Sequence, residues 1–233
     1  MAHAPENSEE SFRRAEEAMV SEIELDVRCT SDDVLIVLHD DTLDRVAADP
    51  RDRGLGPVAL LSFDDVRAVI LNSGRPVLTL AEAFAATTVR LQVEIKERRA
   101  VPALAEFMRA HPGHADRTIF TTFDATALEE VSRLAPGIPR GIIVSDYPDG
   151  AEARHAIDAL LARAGCDIFH CGWQGLTAEV VDRFHEAGLG VRGWPVRNQD
   201  DMRRALALGV DGITSDDPEQ AWSWYREEVE LVQ

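Results

Sequence analysis

Two carboxylates stand two residues apart in EIELDV, as Glu24-Leu25-Asp26, and a second run, RLQVEI, sets Glu94 two residues before Lys96. Side chains of an extended strand alternate in direction, so Glu24 and Asp26 share one face, and Glu94 and Lys96 share one face of theirs. Carboxylates that point inward repel one another and are costly to bury unless a cation or a proton neutralises them. Three of them on adjacent strand ends would make an all-oxygen site for a hard divalent cation, Mg²⁺ or Ca²⁺. The same pattern also describes a buried ion-pair network, and spacing alone leaves both open.

A histidine comes within reach through chain length. Only RCTSDD separates EIELDV from VLIVLHD (34–40), whereas a parallel crossover needs roughly ten or more residues. The connection must be a hairpin, with the second run folding back antiparallel. A turn centred near Ser31-Asp32 returns His39 opposite Leu25 and Asp26, to within a residue.

The elements that position these groups alternate along the chain. Strand-like runs are EIELDV (22–27), RLQVEI (90–95), TIFTTF (118–123), RGIIVS (140–145), CDIFHC (166–171), LGVRGWPV (189–196) and DGITS (211–215). Segments with helical spacing of apolar residues lie between most of them. Asn7-x-x-Glu10, Ser62-x-x-Asp65, Thr79-x-x-Glu82 and Asn198-x-x-Asp201 have the spacing of helix N-terminal caps. Repeated strand–helix alternation gives a parallel sheet with right-handed crossovers. The parallel runs number seven, and a (β/α)₈ TIM barrel closes on eight. The opening MAH is therefore expected to be the stump of a shortened first strand, which places His3 at a strand's C-terminal end, where such barrels carry their chemistry. An edge left open by a short first strand is one a second copy could cover, so a homodimer is among the expectations.

Composition narrows the partners. A formal net charge of −18 over 233 residues disfavours nucleic acid and anionic membranes, both of which call for a basic face. No apolar run approaches the ~18 residues of a membrane span and no leader pattern opens the chain, so a cytoplasmic protein without stable membrane association is expected. Three cysteines, Cys29, Cys166 and Cys171, form no CxxC pair and read as free thiols. Length and continuity suggest one domain over 1–233.

Taken in order, PENS with its amphipathic helix, EIELDVRCTSDDVLIVLHDDTLDR, PVLTLAEAF, VEIK, TIFTTFDATALEEV, GWPV and GVDGITSDDPE resemble the glycerophosphodiester phosphodiesterases across essentially the whole chain. The resemblance implies a TIM barrel, with an extra antiparallel hairpin strand, that hydrolyses a small-molecule glycerophosphodiester to glycerol 3-phosphate and an alcohol. It further implies a divalent metal on Glu24, Asp26 and Glu94, His3 and His39 as the acid–base pair, Lys96 near the phosphate, and Trp194 by the glycerol or lining the barrel mouth. The family's usual His-Arg-Gly is absent here, since Ala4 follows His3 directly. Arg192, two residues before Trp194 and on its face, either pairs with an acid or meets the phosphate in place of the missing arginine. Two other activities fit less of the pattern: a lysophospholipase D-like phosphodiesterase, and an impaired family member that binds a phosphorylated ligand. His170 and Trp173 are secondary candidates near a strand end, and His111, His114, His155 and His185 read as surface or helix-end residues.

Overall fold

The computed structural model describes residues 2–230. Two compact units are distinguished, one of residues 3–138 and one of residues 139 onward together with Ala2.

The first unit runs α1 (Glu9–Glu17), β1 (Glu22–Cys29), β2 (Leu35–Val37), α2 (Phe63–Arg67), α3 (Leu80–Ala86), β3 (Arg90–Ile95), α4 (Val101–Ala110), α5 (Pro112–Ala115), β4 (Thr118–Thr122) and α6 (Ala125–Leu134). β1 pairs in parallel with β3, and β3 with β4. β2 is antiparallel to β1, as the short connection requires, with Val27 opposite Val37. At the turn, the Thr30 hydroxyl accepts from the Val34 N–H at 3.1 Å. Asp33 takes the left-handed conformation with φ of 63°. Beyond the ladder, the Leu38 N–H donates to the Asp26 carbonyl at 3.0 Å. His39 therefore follows immediately from a residue tied to Asp26.

Alternation sorts the two faces of this sheet. Ile23, Leu25 and Val27 of β1, with Leu91, Val93 and Ile95 of β3, pack against Leu80 and Phe84 of α3 and Leu104 of α4. The other face carries Glu24, Asp26, Gln92 and Glu94. A second apolar cluster, with Ile36, Leu38, Leu43, Val46, Val58, Val66 and Val77, anchors the long segment between β2 and α3. That segment bears His39, Asp40 and Arg45.

The expected caps at Ser62, Thr79 and Asn198 are present, each side chain accepting from the backbone N–H three residues on. The first cap differs. Ser8, not Asn7, caps α1 in a reciprocal box with Ser11, because Asn7 takes a left-handed φ of 50° and sends its amide elsewhere. Asparagine tolerates that conformation better than most residues.

In the second unit, β5 (Arg140–Val144), β6 (Ile168–Gly172), β7 (Gly190–Trp194) and β8 (Gly212–Ile213) alternate with α7 (Ala151–Ala164), α8 (Ala178–Glu186), α9 (Gln199–Leu208) and α10 (Pro218–Glu230). The strands pair in parallel in that order. Edge-to-face and tilted contacts among Tyr147, Phe169 and Phe184 fill the space between strands and α8. At Gly193 an added Cβ would lie 2.2 Å from the Trp173 ring, so only glycine lets that indole lie against β7. Among the described residues no strand forms ahead of β1. Where the stump of a first strand is expected, the Ala2 N–H donates to the Asp216 carbonyl at 3.1 Å. No helix among the described residues is long and apolar enough to cross a membrane.

Candidate active site

The β1–β3 register sets Asp26 beside Glu94 and Glu24 beside Gln92. One oxygen from each of Glu24, Asp26 and Glu94 lies within 4.8 Å of the others. Asp26 and Glu94 are buried and Glu24 is half-buried. Lys96 continues the same face: its Nζ donates to Glu94 Oε1 at 2.7 Å and stands 3.4 Å from Asp26 Oδ1. Burial pushes the Glu94 carboxyl up, with Asp26 adding to the rise, while the bond from Lys96 opposes it. Burial works against the Lys96 charge as well, but its bond to Glu94 and the fields of Glu94 and Asp26 prevail and raise its pKa. Asn7 Nδ2 donates to Asp26 Oδ2 at 3.0 Å and orients that carboxylate.

This donor set fits a divalent cation. Three carboxylates against one ammonium formally leave two negative charges on a largely buried face. All three candidate donors are hard oxygens held on neighbouring strands, the ligand type that suits Mg²⁺ or Ca²⁺ rather than thiophilic metals.

His39 is organised differently. Its side chain is half exposed, and Nδ1 lies 2.7 Å from Asp40 Oδ1. The Arg45 guanidinium and then the His39 ring hold the Asp40 carboxyl down at about 2, against the opposing effect of partial burial. An ionised Asp40 can only accept, so Nδ1 is the donor and Nε2 is left for other work. Arg45 also donates to both oxygens of Glu6, at 2.7 and 2.5 Å. The Arg28 guanidinium fixes the backbone by donating to the His39 carbonyl at 3.0 and 2.8 Å. His3 is exposed, in the bend that precedes α1.

In the second unit, Arg192 and Trp194 lie on the same face of β7 and are both half-buried. Arg192 pairs in register with His170 of β6 and with Gly212 of β8. His170 is 2% exposed, and burial, then the charge of Arg192, pushes its imidazole down to about 3. Trp173 donates its indole N–H to the Pro195 carbonyl at 2.6 Å and packs against Val196 and Met202, which makes it a packing residue. His185 pairs with Asp211 at 2.8 Å, and His114 stacks on Phe84 at 4.4 Å, both outside the candidate site.

The first unit thus brings Glu24, Asp26, Glu94 and Lys96 into one cluster and gives His39 a partnered ring. Sequence reasoning read Asn7 only as a helix cap and gave Glu6, Asp40 and Arg45 no role. The signal for Asp40 and Arg45 was the charged spacing within HDDTLDR; for Glu6 and Asn7 it was two polar residues held just ahead of a helix.

The fold is of the TIM-barrel class, with seven parallel strands among the described residues and β2 antiparallel to β1. It is shared at a TM-score of 0.77 with the glycerophosphodiester phosphodiesterase of Thermotoga maritima, at 23% identity and covering 95% of this chain and 93% of that one. A phosphodiesterase of Oleispira antarctica, solved in complex with the product sn-glycerol-3-phosphate, superposes at 0.84 over 97% of this chain and 93% of that one, with 22% identity. The model of the glycerophosphoryl diester phosphodiesterase family matches residues 1–220, and the chain belongs to that family. A glycerophosphodiester phosphodiesterase of Caldanaerobacter subterraneus is 28% identical over 237 residues, covering 93% of this chain and 90% of that protein.

Proposed function

We propose that this protein hydrolyses glycerophosphodiesters to glycerol 3-phosphate and an alcohol with the aid of a divalent cation. The observation that carries the proposal is the cluster of Glu24, Asp26 and Glu94 with Lys96, in a chain of this family, on the strand that leads by way of Leu38 to His39. Family membership and a relative of the same name over nine-tenths of both chains support the reaction class. The product bound by the Oleispira phosphodiesterase supports the glycerol 3-phosphate half.

In this reading Glu24, Asp26 and Glu94 hold the cation, which supplies charge to stabilise the phosphoryl oxygens in the transition state. Lys96, already among those carboxylates, adds a second positive charge at phosphate. Water attacks phosphorus, a P–O bond forms and the P–O bond to the alcohol breaks. One histidine of the pair His39 and His3 takes the proton from water and the other gives one to the leaving alkoxide, so the protons balance. Imidazole suits both roles because its two forms are accessible near neutral pH. We take residues 1–233 as one catalytic domain acting in the cytoplasm, in keeping with three free cysteines.

The test is release of glycerol 3-phosphate from glycerophosphocholine with Mg²⁺ or Ca²⁺ added and then chelated. Turnover that chelator abolishes supports the proposal. Metal-independent turnover overturns the role given to the carboxylates, and silence across several glycerophosphodiesters overturns the substrate class.

A further inference from the structure

His39 lies on the segment after β2 with its ring half in solvent, yet acid–base work requires one nitrogen at a fixed place. A chain of charged contacts fixes it. Asp40 uses Oδ1 for His39 Nδ1 and Oδ2 for Arg45 Nε, the latter at 2.6 Å, so its two oxygens are divided between ring and guanidinium. Arg45 turns its remaining two nitrogens to Glu6 in a two-pronged contact. Glu6 is no loose surface acid: its side chain is 17% exposed, and it immediately precedes Asn7, whose amide holds Asp26. One dipeptide therefore reaches both the acidic cluster and, through Arg45 and Asp40, the histidine. An isolated exposed ion pair contributes little, but a bidentate guanidinium bridging two carboxylates is directional as well as attractive.

We propose that Glu6, Arg45 and Asp40 form a positioning clamp that holds His39 in its Nδ1–H tautomer with Nε2 free to exchange protons with substrate. The clamp rests on the phosphodiester hydrolysis proposed above for its benefit to turnover, but not for its effect on the ring. Around His39, the charged groups on the elements packed there are Asp40 beside it, Arg28 at its carbonyl, and Glu94 across on β3, which senses the imidazole.

The experiment combines imidazole ¹⁵N–¹H spectra with steady-state kinetics on glycerophosphocholine with Mg²⁺. It uses the full chain and its Asp40→Asn, Arg45→Ala, Arg45→Lys and Glu6→Gln variants, the His39 signals being assigned by loss in His39→Gln. The clamp predicts an Nδ1–H ring in the parent and a mixture of tautomers in Arg45→Ala. It also predicts that kcat falls by about 10- to 100-fold with KM little changed, the size expected when the partner behind a working imidazole is lost. Arg45→Lys should recover part of both effects, since it keeps the charge without the fork. A parent ring protonated on Nε2, or variants whose tautomer is that of the parent, would overturn the clamp whatever the kinetics. If the parent fails to turn over any glycerophosphodiester, the assigned reaction falls while the spectra still decide the clamp.

Discussion

The acidic cluster and the His39 loop are held by opposite means. Glu24, Asp26 and Glu94 stand on two strands whose ladder fixes their mutual distances, and the buried apolar face behind them, with Leu25, Val27, Leu91 and Val93, keeps the ladder in register. A shift of one residue would turn each of these carboxylates into the core, so the pairing is strongly specified. His39, by contrast, has one ring contact to its neighbour and is steadied by side-chain charge on a surface segment. Backbone register fixes the place where charge must be met. Side-chain charge, passed from Glu6 through Arg45 to Asp40, sets the ring to which proton transfer is assigned. The first region is expected to be the more rigid, and the second to depend on its side-chain partners.

The comparison can be broken most forcefully at the cluster. Glu94→Gln removes a proposed cation ligand and the closest partner of half-buried Lys96, and turnover should fall by more than about 100-fold, the scale for losing one group that stabilises transition-state charge. Retention of a tenth of the parent kcat would contradict the assignment. Leu25→Ala attacks the same region from its apolar side. With Leu25 fully buried, unfolding in urea should show a loss of about 2–5 kcal/mol. A loss below about 1 kcal/mol would mean the β1–β3 register is held by something other than this packing.

At the loop the expected effects are smaller and depend on pH. Asp40 titrates at about 2 in the fold against an ordinary 3.8. A carboxyl lowered on folding contributes stability that is full above its unfolded value and is lost as pH falls through the folded one. The window is therefore about pH 4 down to 2, and the contribution at neutral pH is at most about 2 kcal/mol. The stability difference between the parent and Asp40→Asn should shrink across that window, as urea unfolding at pH 6 and pH 2.5 would show. A constant difference would mean that Asp40 is not the titrating group. The smallest effect is at the α3 cap, where Thr79 and Glu82 bond reciprocally. Thr79→Ala should lower stability by about 1 kcal/mol with kcat unaltered.

Strand-borne features were legible because their rule is local. Period-two spacing put Glu24 with Asp26 on one face, and the length of RCTSDD alone predicted that β2 runs back antiparallel and returns His39 to within a residue of Leu25 and Asp26, in keeping with the Val27–Val37 register. The same local rule placed the caps at Ser62, Thr79 and Asn198. It misplaced the first cap by one residue because Asn7 is drawn to Asp26, nineteen residues away, a contact no window around PENS contains. Glu6 and Arg45 were missed for the same reason: they lie thirty-nine residues apart and meet only in the folded chain. The reading of VEIK as either a cation site or an ion-pair network is also settled by no spacing. Lys96 is seen bonded to Glu94 and near Asp26, so a bound cation has to share those carboxylates with an ammonium already in place.

That sharing makes equilibrium binding of Mg²⁺ and Ca²⁺ the most direct measurement, followed by calorimetry for the parent and for Glu94→Gln. The account predicts one site per chain in the parent that is lost or weakened by at least about 10-fold in the variant. Equal binding by the two proteins would contradict it and leave the cluster as an ion-pair network around Lys96.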